Sequence, residues 1–143
     1  MSRRISIATA IAEKLKEING ESPYTVNLND NVFPKLKFWD EVSDFPCVYV
    51  VAGSEQREYH PGGFTWAFLN ISLKLYCRGE NSQTELEDLI EDVENLLDST
   101  LGRVIFNTTK STEEISVVSI TTDEGLLTPY AVGEINILVR YPR

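Results

Sequence analysis

The chain has 143 residues, 42% of them apolar, with 22 acidic and 13 basic side chains for a net charge of -9. This composition supports a folded core and excludes a disordered chain, and its acidic balance argues against direct recognition of DNA or RNA, where affinity comes from cationic contacts to phosphate. No apolar run approaches the ~20 residues that span a bilayer, so no membrane partner is expected.

Residues 1–143 read as a single domain. After the basic Arg3-Arg4, the apolar stretch is broken by Ser6 and Thr9 and then by Glu13 and Lys14, so the chain is expected to stay where it is made. Arg4, Ala8, Ile11, Ala12, Leu15 and Ile18 recur at three- and four-residue spacing, which predicts an amphipathic helix stopped by Asn19-Gly20. Residues 21–34 carry turn chemistry, and Lys35-Leu36-Lys37-Phe38-Trp39 alternates like a short strand. Phe45 to Ala52 is a nearly continuous apolar run, as expected of a central strand covered on both faces. The stretch GSEQREYHPGGFTWAFLN, residues 53–70, predicts a hairpin arm that turns at Pro61-Gly62-Gly63. Its return strand puts Ile71, Leu73, Leu75 and Cys77 on one face and Asn70, Ser72, Lys74 and Tyr76 on the other.

Ser82 and Glu85 have the spacing of a capping box at the start of a second helix. Leu86, Leu89, Ile90, Val93, Leu96 and Leu97 form its apolar stripe, while Glu85, Glu87, Asp88, Glu91, Asp92, Glu94 and Asp98 make the remainder an acidic, solvated face. Two strands follow at 115–122 and 131–141. The order α-β-β-α-β-β predicts an α+β fold: a mainly antiparallel or mixed sheet with two amphipathic helices packed on it and a projecting hairpin.

Chemistry-bearing patterns are sparse. The one histidine, His60, sits beside the arm's tip, and Cys47 and Cys77 form no C-x-x-C, reading instead as reduced strand residues. Phosphate loops, dinucleotide fingerprints, zinc-helix motifs and calcium loops are missing, so no catalytic residue, cofactor or metal site is assigned. Asp123 and Glu124 with Glu134 have the composition of a hard-cation site, but an ordinary turn explains them better. Two irregular segments carry apolar residues: 31–46, with Phe33, Phe38, Trp39 and Phe45, and 121–134, with Leu126, Leu127 and Tyr130. Such residues either cap the core or meet a partner. Together with the arm they suit a subunit that assembles.

The centre FWDEVSDFPCVYVVAGSEQREYHPGGFTWAFLNISLKLYCRGE, the helix LEDLIEDVENLLD and the end TTDEGLLTPYAVGEINILVRY give the chain a pattern that resembles the tail terminator (tail completion) proteins of long-tailed bacteriophages. The resemblance spans residues 3–141 and rests on overall pattern. It implies a structural virion protein similar in role to the lambda-type terminator, assembled in the host cytoplasm. Such a protein forms a hexameric ring on the head-proximal end of the tail tube, stops tube polymerisation and joins the head-tail connector, while DNA passes through the lumen without specific binding. The expected partners are therefore other copies of itself, the tail tube protein and the connector protein. Arg57, Tyr59, Phe64 and Trp66 on the arm and Leu126, Leu127 and Tyr130 on the loop are the expected interface residues. Two other readings are a different connector or tube subunit, which would polymerise differently, and a small ligand-binding module or enzyme, which would need a pocket with convergent polar groups.

Overall fold

A computed structural model describes residues 2–143. Helix α1 (Arg3–Leu15) is capped by Ser2, whose side-chain oxygen accepts from the Ile5 N–H at 3.1 Å, and buries Ile7, Ala8, Ile11, Ala12 and Leu15. Ile18 is buried as predicted but lies beyond the helix, in a turn where its N–H reaches the Leu15 carbonyl. The apolar spacing continues because the turn keeps facing the same core.

One five-stranded sheet runs in the order β1-β2-β3-β7-β6, comprising β1 (Val32–Phe33), β2 (Cys47–His60), β3 (Phe64–Arg78), β7 (Tyr130–Pro142) and β6 (Glu114–Thr122). All pairings are antiparallel except the short β1–β2 contact, so the predicted α+β class stands with a mixed sheet. The central strand is β3. The run at 45–52 lies one place nearer the edge, and its continuous apolarity arises because Val48 and Val50 face the helices while Cys47 and Tyr49 are covered by residues 33–45.

The strand-like alternation at 35–39 forms no strand, and the short extended piece of this irregular segment lies at Val32–Phe33. Pro34 interrupts the segment, Trp39–Glu41 forms a 3-10 turn, and the Lys37 carbonyl accepts from the Tyr76 hydroxyl at 2.6 Å instead of joining a ladder. The alternation there reflects aromatic packing: Phe33, Trp39, Val42 and Phe45 cover Cys47, Tyr49 and Tyr76 on the sheet face opposite the helices.

Helix α2 (Ser82–Ser99) lies across β3 and β7 and buries the whole predicted apolar stripe. The capping box does not form. Asn81 is the N-cap, and its carbonyl takes the Glu85 N–H at 2.9 Å, leaving Ser82 inside the helix and buried. Asp92 is not part of the solvated face either: it is buried, and its carboxylate accepts from the backbone N–H groups of Thr25 and Val26. A small hairpin of β4 (Ile105–Asn107) and β5 (Lys110–Ser111), unforeseen in the sequence, follows α2 and packs beside α1.

Candidate functional site

The arm is an extension of the sheet and not a detached ribbon. β2 and β3 stay paired up to His60 and Phe64, with Gly62 and Gly63 at φ 89° and 82° supplying the left-handed turn. β7 accompanies β3 as far as Trp66 opposite Pro142, and the Arg143 N–H donates to the Thr65 carbonyl at 2.9 Å. Only the tip reaches beyond its neighbours.

The outer side of β2 is different. β1 pairs with it only at Val48 and Tyr49, and among the described residues no strand pairs with the outer edge from Val50 to His60. Arg4 partly covers this edge by donating to the Gly53 carbonyl at the bulge between Ala52 and Glu55. At the opposite side of the sheet β6 is also an outermost strand with one unpaired edge, and it carries the exposed Val117, Val118 and Ile120. An unpaired edge is a row of free backbone donors and acceptors that templates pairing with another chain.

The structure separates the predicted interface residues into three groups. Tyr59, 73% exposed, and Arg57 stand on the helix side of the arm, and Arg57 is held by Glu55 at 2.9 Å. Phe64 and Trp66 lie on the other face, packed edge-on at 4.9 Å, with the Arg140 guanidinium 4.6 Å above the Trp66 ring. Leu126, Leu127 and Tyr130 sit at the far end of the sheet, since Tyr130 pairs with Arg78 whereas Pro142 pairs with Trp66. At strand rise that separation is roughly 40 Å. Leu126 is 84% exposed, but Tyr130 is the first residue of β7 and stacks on Trp39 and Phe45 at 5.0 and 5.7 Å. The two irregular aromatic segments therefore meet each other within the subunit.

At the base of the arm lies a polar network that the sequence did not reveal. The Glu55 side chain, 7% exposed, accepts from the Tyr141 hydroxyl at 2.5 Å and from Arg57, with the Arg4 Nε 4.0 Å away. Burial, reinforced by Glu55, pushes the Tyr141 phenol up to about 12. Its members come from α1, β2 and β7, so no spacing in the chain links them.

The remaining chemistry-bearing residues have structural explanations. Burial pushes the Cys47 thiol up to about 12 and the Cys77 thiol higher still, and both are free and buried. The His60 Nε2 lies 2.7 Å from Glu58 at the exposed tip. Asp123 closes the 123–132 turn by accepting from the N–H groups of Leu127 and Val132. Burial pushes its carboxyl up, but these backbone bonds outweigh that and hold it below the usual range. Among the described residues no group of three or more metal-ligating side chains converges.

A small α+β subunit with two open sheet edges and exposed apolar side chains at opposite ends belongs to the class of proteins that assemble. The chain belongs to the bacteriophage tail tube terminator family, whose model, described as Bacteriophage Tail Tube Terminator Protein, matches residues 1–143. It is 34% identical over 153 residues to the tail tube terminator protein p142 of Escherichia phage T5, a match covering 99% of this chain and 94% of that protein. Its fold is shared with a chain of the virion of native gene transfer agent (GTA) particle, at a TM-score of 0.62 and 8% identity, covering 96% of this chain and 95% of that one. At that identity the likeness is one of fold alone. Family membership makes this a structural protein of the virion tail.

Proposed function

We propose that the chain closes the head-proximal end of the tail tube as a hexameric ring. The ring ends tube polymerisation, presents the surface to which the connector joins, and lets DNA pass through its lumen as a structural, non-catalytic device. The observation that carries this reading is the pair of unlike open edges, β2 from Val50 to His60 and β6, at the two sides of one sheet. β6 runs antiparallel to β2, because three antiparallel steps separate them. The β6 of one copy fits antiparallel beside the β2 arm of the next without reversing either subunit. A contact between unlike patches is heterologous, and repeated around an axis it closes a ring where the rotation per copy divides the full turn. Tyr59, Phe64 and Trp66 on the arm and Leu126 and Leu127 at the far end are then positioned for the neighbouring subunit or the tube, Arg57 sets the arm's base, and Tyr130 acts through the packing of residues 33–45. The net charge of -9 suits a lumen that does not hold phosphate.

The test is the mass in solution by light scattering over a concentration series, with and without magnesium, followed by addition to polymerising tube protein. A closed hexameric species that arrests tube growth is expected. A chain that stays monomeric both alone and at tube ends overturns the reading, and open-ended polymers would point to a tube subunit.

A further inference from the structure

The strongest unassigned feature is cationic. Arg3, Arg4, Arg57, Lys110 and Arg143 converge with Tyr141 on a cavity of about 500 Å³ at the arm end of the helix layer. Five of the 13 basic side chains of an acidic protein thus line one hollow. Glu55 is the carboxylate that meets two of them, Arg4 and Arg57, and among the described residues Arg3, Lys110 and Arg143 form no ion pair. Among the described residues the charge of this cavity is not balanced.

The opposite imbalance sits on α2. Glu87, Glu91, Glu94 and Asp98 follow one another at spacings of four, three and four residues, which places them in a single outward stripe about 16 Å long. Among the described residues none of them forms an ion pair. Like charges at this spacing repel, and Asp98 lies in the last helical turn, where the helix dipole disfavours an anion and no basic residue compensates. The helix therefore carries a local conflict that nothing among the described residues relieves.

We propose that the cationic cavity receives the α2 acidic stripe of a second copy of this chain. The proposal rests on the ring reading and identifies the charged contact within it. α1 lies over β2 and α2 over β3 and β7, so when the β6 edge of one copy meets the β2 edge of the next, the α2 of the first faces the α1 side of the second. Both the stripe and the cavity lie on the helix side of the sheet. An acidic stripe facing five cations gives the head-to-tail contact its direction, because stripe against stripe and cavity against cavity repel.

Two double variants test it: Glu91→Lys with Asp98→Lys on the stripe, and Arg3→Glu with Lys110→Glu at the cavity. Circular dichroism and thermal unfolding establish that each folds, and sedimentation over a concentration series reads assembly of the wild type, each variant and their equimolar mixture. Each variant alone is expected to lose association on the order of 100-fold, and the mixture to recover it, since only unlike variants then present opposite charges. Assembly unaffected by either variant overturns this contact and leaves the ring standing. Loss in the cavity variant alone, with wild-type binding of a short DNA duplex abolished in parallel, assigns the cavity to phosphate and overturns the proposal. A wild type that is monomeric alone and at tube ends removes the ring and the contact together.

Discussion

Single carboxylates hold the irregular segments of this subunit in place. Asp92 fixes residues 25 and 26 against α2 from a buried position, through bonds of 2.8 and 3.0 Å to backbone N–H groups. Hydrogen bonds to a charged acceptor contribute more than neutral ones, and their loss leaves two donors unsatisfied. Asp92→Ala, which removes the acceptor, is accordingly expected to lower stability by about 2 kcal/mol in urea unfolding, with the fold retained. Asp123 plays the same part at the far end and adds a pH signature. Its folded pKa lies below the ordinary aspartate value of 3.8, so the stability it contributes is present above that value and is lost as the pH falls through the folded pKa. Asp123→Asn should unfold earlier than the wild type at neutral pH, and the difference in midpoint should shrink as the pH drops below about 3.8. A constant difference down to pH 2 would show that the carboxylate's charge is not what closes the turn.

At the scale of elements, the connections differ more than the strands do in what they tolerate. Gly102, at φ 80°, lies where an added Cβ would come 2.9 Å from the Glu114 Cα, as the chain leaves α2 for β4 and later passes back into β6. Gly102→Ala meets both a left-handed backbone and a backbone clash, and a loss of about 2 kcal/mol or more is expected by thermal or chemical unfolding. The arm tip is the opposite case: Tyr59→Ala touches an exposed side chain, so it should leave unfolding unchanged within ~0.5 kcal/mol. The same variant should measurably weaken assembly by sedimentation. The strands β2, β3 and β7 and both helices were legible because each buries a regular face: Ile71, Leu73, Leu75 and Cys77, or Leu86 to Leu97, recur at the period of their element. What sequence reasoning lost was decided by contacts between distant segments. Lys35 to Trp39 alternates in sequence, but Tyr76 captures the Lys37 carbonyl. Asp92 looks like its acidic neighbours until residues 25 and 26 arrive, and Tyr130 reads as a loop residue until Trp39 and Phe45 stack on it. The cationic cavity escaped for the same reason, since its lining comes from both ends of the chain, the arm and the β4–β5 hairpin.

For the whole molecule, the sheet's asymmetry decides what assembly can change. β3 and β7 are paired on both sides along most of their length and buried on the helix face, whereas the outer amides of β2 past Val50 and of β6 have no strand partner among the described residues. In the free subunit, hydrogen exchange should therefore be slowest in β3 and β7, approaching the global unfolding free energy, and fast along the two outer edges. If neighbouring copies join edge to edge, the outward amides of β2 between Val50 and His60 and those of β6 should gain protection together upon assembly, because each row of donors meets the other's acceptors. Protection appearing on the helices and the cationic cavity, with both edges still exchanging freely, would mean that neighbouring copies meet through the charged helix-side contact alone. The edges would then be left to the tube. Since the two rows lie on opposite sides of the sheet, a gain at one without the other would exclude a head-to-tail strand contact, whatever the number of subunits in the ring.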